Sequence, residues 1–149
     1  RRQRQMCIET DLKGSLRAYK FRGHNYTNSQ RYICAHIEKL QCRSHWTVWQ
    51  YYTLGKLTHY LADAFTYPHN EHFPNSQLDH HRYESELRLY LAAYLAHRAL
   101  ERETGCRDLP AAIEDLHRQY MAGRSDMRRD VLYILRATEL LMAGCLPAA

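Results

Sequence analysis

No stretch of the sequence approaches the roughly 18 consecutive apolar residues that a membrane-spanning helix requires, so no such helix is expected. No apolar h-region follows the basic start, and a secretory signal is not expected in these residues. The first residue is Arg1 rather than Met, which leaves open a trimmed upstream segment. Cysteine is sparse and unpaired in pattern: Cys7, Cys34, Cys42, Cys106 and Cys145 are odd in number and form no C-x-x-C. Free or buried thiols fit that pattern better than a disulfide framework, and a reducing, cytoplasmic setting is the expectation. No run alternates apolar and polar residues as a half-buried strand does, and there is no internal repeat or low-complexity segment. Phe is scarce at 3 residues.

Tyrosine takes its place, at 12 residues, and suits sites where a ring packs while its hydroxyl reaches a polar group. Histidine is also abundant at 10, and six of these lie between His45 and His81. Imidazoles so crowded are costly in a core unless paired or metallated, which favours a site. The net charge of +5 has its basic excess at Arg1, Arg2 and Arg4 and along Arg124 to Arg129. It suits an anionic partner such as a phosphate ester or a membrane surface, and is too diffuse to single out nucleic acid. Arg128 and Arg129 read as a solvated face.

A chain of 149 residues is expected to form one domain (1–149, with 1–23 peripheral) with a core that needs no disulfides. The pattern is all-α, a bundle of about five helices. Asn25 to Asn28 opens a helix running to Leu40, with Ile33, Ile37 and Leu40 as its buried stripe. A long helix covers Trp46 to Phe65, its apolar surface including Val48, Trp49, Tyr52, Leu57 and Leu61. Gly55, His59 and Asp63 form one i, i+4 row on it, and the glycine reads as a place where a neighbour approaches closely, or as a tolerated surface glycine. Two prolines and two asparagines mark Tyr67 to Gln77 as a loop. Ser76 or Asn75 caps the next helix, expected to reach Glu103, with Leu87, Leu91, Tyr94 and Leu95 on its apolar face. Asp108 caps a helix with Pro110 in its first turn. Ser125 caps the last, where Met127, Val131, Leu135, Thr138 and Met142 recur at helical spacing.

The chain is organised around Tyr52 to Glu84. His59 and Asp63 stand four apart on one helix, so they point from one face. His69 follows Pro68, where that helix must end. His80 and Glu84 repeat the i, i+4 geometry at the start of the next helix. Two such pairs on adjacent helices, with a fifth ligand at the turn between them, form a template for zinc. Alone, His59 with Asp63 would read as a hydrogen-bonded surface pair; the company of His69, His80 and Glu84 favours ligation. His72, His81, His97 and His117 read as surface or supporting groups, and Tyr60, Tyr83 and Tyr90 as core or supporting residues.

LGKLTHYLADAFTYPHN, with H-x3-D-x5-H, followed by HHRYE, with H-x3-E, resembles the bacterial zinc-dependent phospholipase C family, whose fold is shared with single-strand-specific zinc nucleases. The resemblance extends to GHNYTNSQ, where His24 is similar to the family's early histidine. It implies an all-helical fold around one to three zinc ions. His59 and Asp63 would serve one part of the cluster, with Asp63 able to bridge and needed for catalysis. His69, His80 and Glu84 would hold a separate zinc, and His24 a further position with Asp63. The family's large members begin with a tryptophan that binds metal, where this chain has Arg1. They also carry an Asp and a His in a longer insert, for which only His36 and His45 stand here. A reduced site of one or two zincs is therefore implied as well. The expected function is hydrolysis of a phosphodiester by metal-activated water, on a phospholipid at a membrane surface rather than on nucleic acid. The alternative is a non-catalytic helical zinc-binding domain acting through a partner surface.

Overall fold

The structure is a computed structural model and describes residues 26–70, 76–97, 108–124 and 126–146. Among the described residues there are five helices: α1 (Tyr26–Gln41), α2 (Val48–Ala64), α3 (Gln77–Ala96), α4 (Leu109–Met121) and α5 (Met127–Cys145), with a 3-10 turn at Tyr67–His69. No strand occurs among the described residues, and the fold is the all-α bundle that the periodicity implies. No helix of the described residues is long and apolar enough to cross a membrane. His24, His72 and the expected cap Ser125 lie outside the described residues.

The caps fix the helix starts. The Thr47 backbone N–H donates to Gln50 Oε1 at 2.8 Å, and Ser76 and Asp79 close a capping box on α3. Asp108 accepts from the Ala111 N–H, with Pro110 in the first turn of α4. On α5 the cap is Asp126, which accepts from the Arg129 N–H at 2.8 Å. α3 ends at Ala96 with His97 as its C-cap, short of Glu103.

Helix α5 is the strut of the bundle and packs against each of the other four, whereas α3 packs chiefly on α5. On α1 the stripe Ile33, Ile37 and Leu40 is buried as its spacing predicts. On α5 the buried face is rotated from the expected one and runs through Asp130, Val131, Ile134, Ala137, Leu141 and Cys145. Gly144 makes the α4–α5 approach possible, because a Cβ there would meet Leu109 Cδ2 at 2.7 Å.

Two expectations for α2 are corrected. Its buried face is Leu54, Leu57, Leu61 and Ala64, with Tyr60 at the edge, while Val48, Trp49 and Tyr52 are exposed at 81%, 73% and 60%. At ~100° per residue, Val48 and Tyr52 fall on the side opposite that face, so one helix cannot bury both. Gly55 shares the exposed side, and a Cβ there would have no atom within 4 Å. The surface-glycine reading is the one the structure supports. Among α3's expected apolar positions Leu87 is buried, Leu91 and Tyr94 are half-buried and Leu95 is exposed.

Candidate metal centre

Three pieces of chain build the site: the last turn of α2, the 3-10 turn after it, and the first two turns of α3. Phe65 closes α2, and Pro68 cannot extend the helix, so the chain folds into the turn that ends at His69. The Asn70 side chain then donates back to the Ala64 and Thr66 carbonyls at 3.3 and 2.9 Å, tying the turn to the helix end. His117 of α4 supports Asn70 from behind, with Nε2 3.2 Å from Asn70 Oδ1 and its ring stacked on Tyr26. Burial pushes His117 down to about 4, against a smaller opposing effect of the Ala64 carbonyl, so the imidazole is neutral near pH 7.

His69, His80 and Glu84 converge. His69 Nε2 lies 3.0 Å and His80 Nε2 2.9 Å from the same Glu84 Oε1, and the two imidazole centroids are 4.6 Å apart. One donor atom from each residue lies within 4.8 Å of the other two. Ligand bonds of ~2.0–2.1 Å in a tetrahedral zinc site separate donors by roughly 3.3 Å, so small side-chain rotations suffice to admit the ion. Two imidazoles and one carboxylate are zinc-type donors, and three protein ligands leave a fourth position for water or substrate. The residues fit the metal. Burial works against the Glu84 carboxylate, yet hydrogen bonds from His69 and His80 outweigh it and hold its pKa below the ordinary value.

The H-x3-D pair borders this group. Asp63 Oδ1 is 3.8 Å from His69 Nε2, and its Oδ2 is 3.4 Å from His59 Nε2. The Asp63 side chain is 15% exposed and His59 66%, so the site opens to solvent along α2. Asp63 is thus placed between His69 and His59, and His59 itself stands outside the three-residue group. His81 is exposed, with Nδ1 3.6 Å from Glu84 Oε2. His36 is buried between α1 and α2, its Nδ1 donating to the Tyr32 carbonyl, and His45 is exposed; neither joins the group.

Sequence reasoning missed Asp130. It is wholly buried and accepts from the Tyr67 N–H (3.0 Å), the Tyr83 hydroxyl (2.8 Å) and the Tyr120 hydroxyl (2.7 Å). Burial raises its pKa, and the three donors work against that rise. The legible signal was an Asp within an otherwise apolar stripe of α5, since charged residues are rarely buried without partners. Arg129 was misread as solvated. Its guanidinium caps the C-terminus of α4, donating to the Gln119 carbonyl at 2.7 Å and lying over the Tyr133 ring. It also fills the space beside Gly123.

An all-α bundle that gathers two histidines and a glutamate from a turn and a helix defines a helical protein with a candidate metal centre. The comparison with known proteins is more specific: the family described as zinc dependent phospholipase C matches residues 7–127, and the chain belongs to that family. No curated protein and no solved structure matches it. Zinc is therefore the metal to which this donor set is suited.

Proposed function

We propose that this chain is a zinc-dependent phosphodiester hydrolase of phospholipase C type. It would release diacylglycerol and a phosphorylated head group from a phospholipid. The observation that carries the proposal is the convergence of His69, His80 and Glu84 with Asp63 at their border. His69, His80 and Glu84 would hold the ion through two imidazole nitrogens and one carboxylate oxygen, a donor set that leaves net positive charge for a phosphate oxygen. Zinc bound there supplies Lewis acidity toward the phosphoryl group and a lowered pKa for water. Asp63 would orient the attacking water or serve a second cation with His59. The solvent-facing stripe of α2 leaves the site accessible to a bulky substrate, and a membrane surface is where that substrate is presented.

A second reading has one observation in its favour. Asp63 Oδ1 stands 3.8 Å from His69 Nε2, and a shift of that side chain onto the ion would add a fourth protein ligand, making the zinc structural and the domain a binding module. Metal analysis together with phosphatidylcholine hydrolysis separates the two. Zinc in wild type, lost in His80→Ala, with chelator-sensitive release of the phosphorylated head group, supports the hydrolase. A fully zinc-loaded protein inert toward phosphatidylcholine, single-stranded DNA and a chromogenic diester decides for the binding module.

A further inference from the structure

Asp130 is a buried carboxylate whose described partners are a backbone amide and two phenols rather than a cation. Such burial is expensive and needs a reason. Its place in the first turn of α5 helps, because that helix end favours negative charge. The stronger reason is where its three donors come from. Tyr67 opens the 3-10 turn that ends on His69, and Tyr83 precedes Glu84 on α3, three residues after His80. Both meet on one oxygen, Asp130 Oδ2, and their rings also touch edge to face at 6.1 Å. Tyr120 of α4 takes the other oxygen.

We propose that Asp130 is a positioning residue of the metal centre: it fixes the turn bearing His69 against the helix bearing His80 and Glu84. The two ligand-bearing elements share a single acceptor atom, so their separation is set by two hydrogen bonds before any ion is bound. That preorganisation keeps the donors near tetrahedral spacing and spares the ion the ordering of its own ligands. The Tyr120 bond anchors the carboxylate to α4, which carries none of the candidate ligands. The inference rests on the metal-centre reading and assigns a role that the ligands themselves do not fill.

The two phenols make the test. Tyr83→Phe and Tyr120→Phe each delete one hydroxyl from the same carboxylate, but only the first cuts a link to a ligand-bearing element. The full chain is prepared as wild type, both Phe variants, Asp130→Asn and His80→Ala. Zinc affinity is measured by competition with a chromophoric chelator, the visible spectrum after cobalt substitution, and melting in excess chelator. Tyr83→Phe and Asp130→Asn should weaken zinc binding ~10-fold or more and alter the cobalt band, while Tyr120→Phe stays within about twofold of wild type at a comparable loss of metal-free stability. Equal zinc affinities in the two Phe variants overturn the positioning role, and they decide it even if Asp130→Asn does not fold. A wild type that binds no zinc overturns the metal centre as well. Zinc bound by wild type, lost in His80→Ala and kept undiminished in Tyr83→Phe overturns the role of Asp130 alone.

Discussion

Asp63 and Glu84 are both carboxylates four residues after a histidine, yet the tertiary structure gives them different surroundings. Glu84 receives two imidazoles on one oxygen, whereas Asp63 stands between exposed His59 and buried His69. Removing Glu84 or His80 should therefore abolish binding of the ion, and removing the charge of Asp63 should act mainly on turnover. Asp63→Asn is expected to reduce kcat/KM by at least ~10-fold with a change in Tm of only a few degrees, as it keeps the side-chain shape. Parallel kinetics and thermal melts check this; equal loss of activity and zinc content would reassign Asp63 as a ligand of the same ion. The i, i+4 spacing made both pairs legible in the sequence. Which pair His69 joins depends on the fold of the turn after Pro68.

At the scale of the helix, ends and faces decide. Arg129 donates to the terminal carbonyls of α4 and stacks on Tyr133, a cation at a helix C-terminus with fixed geometry. Arg129→Ala should destabilise the protein by roughly 1–2 kcal/mol, through lost carbonyl bonds and lost contact with Tyr133. Its neighbour Arg128 is exposed, and Arg128→Ala should stay within about 0.5 kcal/mol of wild type. Urea titration of both variants gives the comparison. Sequence reading could not separate these two arginines, because a helix end is capped by whatever the next segment brings back to it. It placed the start of α4 correctly, since Asp108 and Pro110 act within one turn.

For the whole molecule, metal and protons are both linked to folding. An ion that binds the native state alone at 100 times its Kd adds about 2.7 kcal/mol, so excess chelator should lower Tm reversibly. An unchanged melt after metal loss is confirmed would count against a centre joining the turn to α3. Protons act through buried imidazoles. His117 is held down to about 4 by burial and His36 is lowered for the same reason. An unfolded histidine titrates near 6.5, so for His117 the unfolded state binds between pH 6.5 and about 4 a proton that the native state refuses, and His36 acts in the same direction. Stability is therefore present above that window and lost as pH falls through it. His117 contributes up to roughly 3 kcal/mol of the loss. Denaturation midpoints at pH 7 and pH 5 should show it, and His117→Gln should flatten the difference.

The sequence by itself determined what acts over one or two turns. The helices, the stripe of α1, the cap at Asp108 and the paired ligands at i, i+4 all follow from the 3.6-residue period and from local donors, which also narrow the cap of α3 to Ser76 or Asn75. The tertiary structure decided everything that joins distant residues. It set which side of α2 meets solvent, gave His117 the support of Asn70, and gathered Tyr67, Tyr83 and Tyr120 around Asp130. An apolar stripe tells a helix which side to bury only where the other side is polar, as it is not on α2, and it carries no record of the partner. The bonds of Asp130 to Tyr67 and Tyr83 close over spans of 63 and 47 residues and exist only once α5 has packed against α2, α3 and α4.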